Sequence, residues 1–482
     1  MRHILTASIT ALCFTAPLWA DVDRTKKPEP GPAPAASFPD YKEVTLSNGL
    51  KVFVIEDDRK PTITLRLIVK SGSVFDGAKT GEANFVAALL NRGTEKRTAA
   101  AFAKEIDFLG ASLEASAGAD AISVATSGLT LYTDKLLDLF SDAVLHPVFP
   151  ADQFARVQRQ MLSRLAAERQ EPAVLGGKLA GKVVYGSHPY GAYQTAETVK
   201  AITRENLVAF HKAHFLPNNA SLAIVGDVKA DVILPQIEKA LGGWTKGEVP
   251  QLEAAKIPEQ HGVTVHLVDR PASVQSNIII TQPGPSRSTQ DVPEINVLNA
   301  TLGGGFSGRL FQNLREKHGW TYGAYSAFDM RKLGGSFEAN AETRNEVTGP
   351  AVEETIKEIN RLRDELVPDP ELELQRQYNV GNYLLSLENP ARTAQRVQDI
   401  DLYGLPKDFY KTYAKRMAET TPQGVEDLSK KYLHPADLAI VVVGEAKDVK
   451  PQLEKFGKVY VYDTDLKLQA EPAPAAAGAA AQ

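Results

Sequence analysis

The residues best placed to do chemistry lie in one stretch, Asn299–Ser326, which reads NATLGGGFSGRLFQNLREKHGWTYGAYS. It holds Gly303, Gly304 and Gly305 in a row, then Arg315, then Tyr322 seven positions after the arginine. An arginine offers forked donors to a carbonyl or a developing oxyanion, and a tyrosine hydroxyl adds a donor without net charge. Neither group activates water alone. The plain alternative is a surface arginine and a strand tyrosine that only pack. The triple glycine lacks the Lys-Ser/Thr of a phosphate-binding loop and reads instead as a flexible turn at a helix entry. Phe306, next in line, either contacts a ligand or packs. His211 and His214 form H-x-x-H before Pro217, but the spacing shows no third ligand, so they read as a satisfied helix-end pair. His146, His188, His261, His266 and His434 are isolated.

The elements that must carry these residues repeat. VTLSNGLKVFVIED from Val44 matches VTVHLVD from Val263, an offset of 219, and Gly226 and Gly444 close similar apolar strands 218 residues apart. Agreement of two landmarks within one residue marks two homologous halves. Each half opens with β-branched strands, as at Lys51–Glu56 and Thr62–Lys70. Helical stretches follow, as at Thr98–Leu109 and Leu131–Leu145. Each half closes on a strand and a helix: Ser221–Val225 with Asp231–Leu241, and Leu438–Val443 with Val449–Phe456. The expected fold class is α+β, two lobes each made of a mostly antiparallel sheet covered by helices. The expected boundaries are 41–242 for the first lobe, 243–262 for a linker able to hinge, and 263–462 for the second lobe.

A second stretch shows what kind of protein this resembles. Ser71–Thr98 reads SGSVFDGAKTGEANFVAALLNRGTEKRT, with Gly72-Ser73, Gly81, Ala83, Phe85 and Gly93-Thr94. It resembles the segment of M16 (pitrilysin/insulinase-like) zinc metallopeptidases that carries H-x-x-E-H on a helix. In that motif two histidines four apart share one helical face and bind zinc, and the glutamate is the general base. The flanks place Asn84 and Ala88 at the histidines and Ala87 at the glutamate. The text MLSRLAAERQEP, from Met161, resembles the family's third-ligand helix and puts Arg164 at its carboxylate. An amide, two methyl groups and a cation do not hold a divalent metal. Glu168, one turn on, is a single carboxylate.

The Gly303–Tyr322 stretch resembles the second-half signature of the same family. There, the resemblance implies, the Arg/Tyr pair faces the zinc of an opposing half and steadies the tetrahedral intermediate. The resemblance covers Tyr41–Tyr462 and implies a clamshell of the LuxS/MPP-like metallohydrolase fold. It points to an M16B-type non-catalytic subunit. Such a chain has no metal of its own, pairs with an H-x-x-E-H subunit that carries the zinc, and contributes Arg315 and Tyr322 to peptide hydrolysis, with Gly303, Gly304, Gly305 and Phe306 touching peptide. Family members hold extended peptides along a sheet edge, and Ala111–Thr126 occupies that place. A stand-alone peptide-binding or scaffolding pseudoprotease is the alternative. An active peptidase with another site lacks any visible metal or nucleophile cluster.

Composition fits an exported globular protein. The 482 residues are 43% hydrophobic with a net charge of -5, which leaves no basic footprint for nucleic acid. Residues 1–20 read as a secretory signal, and no run is long enough for a membrane span. The single cysteine, Cys13, falls inside that signal, as suits an oxidising periplasm. Residues 21–40, rich in Pro and Ala, read as a solvated tether, and 463–482 as a disordered tail.

Overall fold

The strands alternate or run apolar according to how many faces they bury. The computed structural model describes residues 38–470 apart from Ala254, together with Arg24 and Thr25. The first sheet contains β1 (Lys42–Thr45), β2 (Lys51–Glu56), β3 (Thr62–Val69), β4 (Ser112–Ala117), β5 (Ile122–Leu129) and β6 (Ala220–Gly226). The second contains β7 (Thr264–Asp269), β8 (Gln275–Gly284), β9 (Thr321–Asp329), β10 (Gly335–Arg344), β11 (Ala439–Gly444), β12 (Lys458–Tyr462) and β13 (Leu468–Ala470). β6 (ASLAIVG) and β11 (AIVVVG) are buried along their whole length. Continuous apolar runs of this kind mark strands covered on both faces.

The repeat is visible in the topology. The strand orders are β1-β2-β6-β3-β5-β4 and β13-β12-β7-β11-β8-β10-β9. With β2 set on β7, five strands follow in the same order in both sheets. β2 runs parallel to β6, and β7 runs parallel to β11 and β12; the other pairings are antiparallel. The helices fall near their expected places. Thr98 caps Ala99–Phe108 by accepting from Ala101 N–H, and Thr133–Leu145 follows a short 3-10 turn, Thr130–Tyr132.

Each sheet buries one face under helices of its own half and the other partly under a helix from the opposite half. Pro172–Tyr185 crosses to lie on β8 and β11, and Pro390–Tyr403 crosses to lie on β6 and β3. Gln398 on the second of these is fully buried. Its Nε2 donates to Arg66 O and Ser221 O, both at 2.8 Å. Asp401 binds Lys51 and Lys70 at 2.5 and 2.6 Å. Phe53, Ile55, Ala223 and Val225 of the first sheet share a core with Ile278, Ile280 and Ile440 of the second. From Ser37 onward the chain is one compact unit; of the separate unit Met1–Ala36 only the turn at Arg24–Thr25 is described.

Three expectations need correction. The tether ends earlier than 40: Phe38 is buried, packs on Tyr410 with ring centres 5.4 Å apart, and Asp40 binds Lys411 at 2.6 Å. The linker 243–262 is pinned. Trp244 is buried and its Nε1 donates to Phe215 O at 2.9 Å, while Ile257 packs beside Tyr185 and Tyr190. A hinge there would have to expose these groups and split the shared core. The tail does not begin at 463, because β13 pairs with β12. The signal at 1–20 and the chain after 470 lie outside the described residues. Among the described residues, no helix is long and apolar enough to cross a membrane.

Candidate functional site

The helix Glu82–Leu89 starts after Gly81, and Asp76 reaches its first turn from the preceding loop. Gly81 N–H donates to Asp76 Oδ2 at 2.7 Å and Ala83 N–H to Oδ1 at 2.9 Å, which satisfies donors a helix start leaves free. Burial pushes the Asp76 carboxyl up to about 6, against the pull of those two bonds. The helix buries Ala83, Phe85, Val86, Ala87 and Leu89, and Phe85 stacks on Phe154 at 5.4 Å. Asn84 and Ala88 lie four apart, half-buried, on one face.

Asn84 and Arg164, far apart in sequence, line one cleft of about 270 Å3 with Asp76, Glu168, Lys178 and Tyr193. Ala88 does not line it, and Ala87 faces the core. Arg164 is 82% exposed and its Nε donates to Glu168 Oε1 at 2.7 Å; Lys178 Nζ donates to Oε2 at 2.8 Å. Burial alone would raise the Glu168 carboxyl, but these two cations outweigh it and hold it below the usual range. Among the described residues, no three His, Cys, Asp or Glu side chains come together to hold a metal ion. The zinc of H-x-x-E-H helices does not fit these residues: where ligands should stand there are an amide, methyl groups and a guanidinium, and the one nearby carboxylate is already bound by two cations.

His211 and His214 are structural. His211 Nε2 lies 2.8 Å from Val144 O and His214 Nδ1 lies 3.0 Å from Ser71 Oγ. Burial pushes both rings down to about 4, so both are neutral.

In the second half, Arg315 sits on a π-helical turn, Gln312–Lys317, that leads into β9. Its guanidinium lies 4.8 Å over the ring of Phe311, and its nearest carboxylate is Glu316 at 3.6 Å. Tyr322 is 89% exposed and has no hydrogen-bond partner among the described residues. Phe306 is 69% exposed and meets Phe311 edge-on at 5.1 Å. Tyr322 borders a groove of about 330 Å3 with Gln275, Asn277, Tyr325, Asn340 and Glu342. No residue lines both this groove and the cleft at Asn84, so the structure does not bring the two motifs into one cavity.

The glycines divide. Gly304 is exposed and Gly305 half-exposed beside Tyr378, but Gly303 is buried. Ser326 N–H donates to Gly303 O, Asn299 Nδ2 donates to Ser326 O, and Ser326 Oγ donates to Asn299 Oδ1, each at 2.9 Å. A Cβ at position 303 would lie 2.7 Å from Ser326 N and 2.8 Å from Leu310 Cδ1. Gly303 therefore lets the turn press against β9. This is a packing role, and it departs from the peptide contact and the flexible turn expected from sequence.

β4 is the edge of the first sheet, as the Ala111–Thr126 reading requires. Asn91 Nδ2 donates to Leu113 O at 3.0 Å, so the backbone of Leu113 faces away from β5, and by alternation so do Ala115 and Ala117. The backbone groups of those two alanines have no partner among the described residues. Sequence reasoning missed Asp76 as the carboxylate that accepts from Gly81 N–H and Ala83 N–H at the start of the helix Glu82–Leu89. No local capping signal marks it, because Asp76 stands five residues before the N-cap, Gly81, and reaches the helix through the intervening loop.

Comparison with known proteins agrees with this geometry. An insulinase profile (peptidase family M16) matches residues 51–184, and a peptidase M16 inactive-domain profile matches 201–379. The crystal structure of a peptidase M16 inactive domain from Pseudomonas fluorescens superposes with a TM-score of 0.78 at 28% identity, covering 84% of this chain and 98% of that one. A protease from Helicobacter pylori shares the fold, with a TM-score of 0.79 at 19% identity over 84% of this chain and 99% of that one. An uncharacterized zinc protease of Mycobacterium leprae is 29% identical over 59% of this chain, a match that spans 65% of that relative. One from Rickettsia bellii is 26% identical over 73% of this chain and 85% of the relative. The chain belongs to the M16, insulinase-like family of metallopeptidases and resembles its inactive domains.

Proposed function

We propose that this chain is the non-catalytic, substrate-binding subunit of a heterodimeric M16 zinc peptidase of the bacterial periplasm. One observation carries the reading: every metal and base position holds a group that cannot serve, while Arg315 and Tyr322 stay exposed, Arg315 beside only the exposed Glu316 at 3.6 Å and Tyr322 with no hydrogen-bond partner among the described residues. A partner subunit with an intact H-x-x-E-H helix supplies zinc and water. Arg315 directs forked donors, and Tyr322 a neutral one, at the carbonyl oxygen that gains charge during attack. An extended peptide adds to β4 at Ala115 and Ala117 through main-chain hydrogen bonds.

The test is to purify the tagged protein from a periplasmic extract of its host, identify any stoichiometric companion and count zinc. A companion with H-x-x-E-H and about one zinc per pair, as a single three-ligand site requires, supports the reading. A lone, zinc-free chain rejects it in favour of a stand-alone peptide-binding scaffold. The open β4 edge gives that second reading its support, since it is complete without any partner.

A further inference from the structure

The tip of the β4–β5 hairpin is where the open edge meets the second half. Gly118 N–H closes the tip on Ala121 O at 2.8 Å. The turn at Gly72–Val74 holds it from behind, with Ser73 N–H donating to Gly118 O at 2.9 Å and Val74 N–H to Ala119 O at 3.1 Å. Gly72 permits this approach, since a Cβ there would lie 2.3 Å from Gly118 O.

Asp120, at the same tip, is buried and turned to the other side. One carboxylate oxygen accepts from the Tyr190 hydroxyl, and the other accepts from Lys332 N–H at 3.0 Å. The Tyr190 oxygen in turn accepts from Leu333 N–H at 3.3 Å. Lys332 and Leu333 belong to the turn joining β9 to β10. Arg331 of that turn lies over the rings of Tyr185 and Tyr190, at 5.3 and 5.0 Å. The contact walls a cavity of about 400 Å3 between the halves, lined by Ser116 and Arg66 on one side and Arg331, Asp399 and Tyr403 on the other.

We propose that Asp120 is a positioning residue for a peptide held along β4: it fixes the hairpin tip to the β9–β10 turn and so sets the spacing between the open edge and the strand that carries Tyr322. This rests on the strand-addition reading above. The chemistry selects a carboxylate. A phenol O–H and an amide N–H converge on Asp120 from different elements, with the Tyr403 hydroxyl also interacting, and an ionised carboxylate accepts from all of them. An amide side chain accepts on its oxygen alone and turns its own N–H toward a donor. The hairpin is short and fully paired from Ser112↔Ser127 to Ala117↔Ile122, so a shift at its tip carries to Ala115 and Ala117.

The experiment compares full-length wild type, Asp120→Asn, Tyr190→Phe and the double variant. Three quantities are read: melting temperature, hydrogen exchange at 118–122 and 330–334, and affinity for fluorescein-labelled casein, an unfolded chain. Asp120→Asn should exchange faster at both turns and bind roughly tenfold more weakly, as loss of a charge-assisted bond implies. Tyr190→Phe should follow at about threefold, and the double variant should add little to Asp120→Asn, because the two act through one contact. If Asp120→Asn does not fold, Tyr190→Phe carries the same test alone. Faster exchange with undiminished affinity would make Asp120 a structural contact only and overturn the proposal, leaving strand addition intact. Unchanged casein binding in Ala115→Pro, or none in wild type, would instead remove strand addition and this proposal with it.

Discussion

The two sheets end in equivalent edge strands that differ at mid-strand. β4 closes the first sheet and β9 the second, at the same place in a shared strand order. The outward backbone at Ser326 of β9 is filled on both sides, by Gly303 O and by Asn299 Nδ2. The outward backbone of β4 at Ala115 and Ala117 is open. An exposed edge is a template for pairing, which proteins block where it is not wanted. The contrast teaches that the two halves have divided their tasks. On the proposed reading, the first half offers main-chain hydrogen bonds to an extended ligand, and the second presents side chains, Arg315 and Tyr322, beside an edge strand held at Ser326.

Acid should separate the two halves most strongly. His211, His214 and His266 are held at about 4 by burial, against an ordinary value of 6.5. Between those values the unfolded chain carries protons the folded chain refuses, so stability falls as pH drops through that window, on the order of 3 kcal/mol per ring. Asp76, raised to about 6, works in the opposite direction: the folded chain keeps a proton there, which favours folding as pH falls toward 3.8. Burial also raises Glu82 in the first half and Glu338 and Asp399 in the second, so carboxyls oppose the rings in both halves. Two of the rings are in the first half, and His214 contacts Ser71 beside the turn that holds the β4–β5 tip. Melting followed against pH, with hydrogen exchange, should show the β4 edge loosening before the β9 edge.

Next in size, Ala115→Pro should lower affinity for extended peptides about a hundredfold while melting shifts little. The outward N–H it removes has no internal partner, and proline is tolerated at such edge positions. Titration of casein against wild type and variant checks this, and equal affinities would break the contrast between edges. At Ser326 of β9, Gly303→Ala forces a Cβ against Ser326 N and should cost about 2 kcal/mol in a denaturant titration. Asn299→Ala removes two of the bonds over β9 and should cost about 1 kcal/mol. It should also expose β9 enough to raise concentration-dependent association in sedimentation.

The sequence carried some of this plainly. The Gly226/Gly444 repeat announced two halves because both glycines close a strand buried on both faces, a local pattern that needs no partner to be seen. The flanks of Asn84 and the text around Arg164 picked out two residues that line one cleft, though Ala87 and Ala88 do not line it. The crossing of Pro172–Tyr185 and Pro390–Tyr403 was not legible. An apolar helix face states that it must be buried but not under which sheet, and these two choose the opposite half. Gly303 was misjudged for a related reason: a glycine needed for close backbone approach and one needed for a mobile turn look alike until Ser326 is seen beside it. Asp120 gave no signal because its partners, Tyr190 and Lys332, are distant in the chain.

A chain that completes a peptidase it cannot form alone should restore cleavage on reconstitution. Peptide hydrolysis is measured with this chain, with its H-x-x-E-H companion, and with the two mixed. Neither chain alone should cleave at an appreciable rate, and the mixture should. Arg315→Ala in this chain should lower the rate of the mixture by about a hundredfold or more, the usual cost of removing an oxyanion donor. Cleavage by the companion alone at the full rate, or a mixture indifferent to Arg315→Ala, would contradict the heterodimer reading.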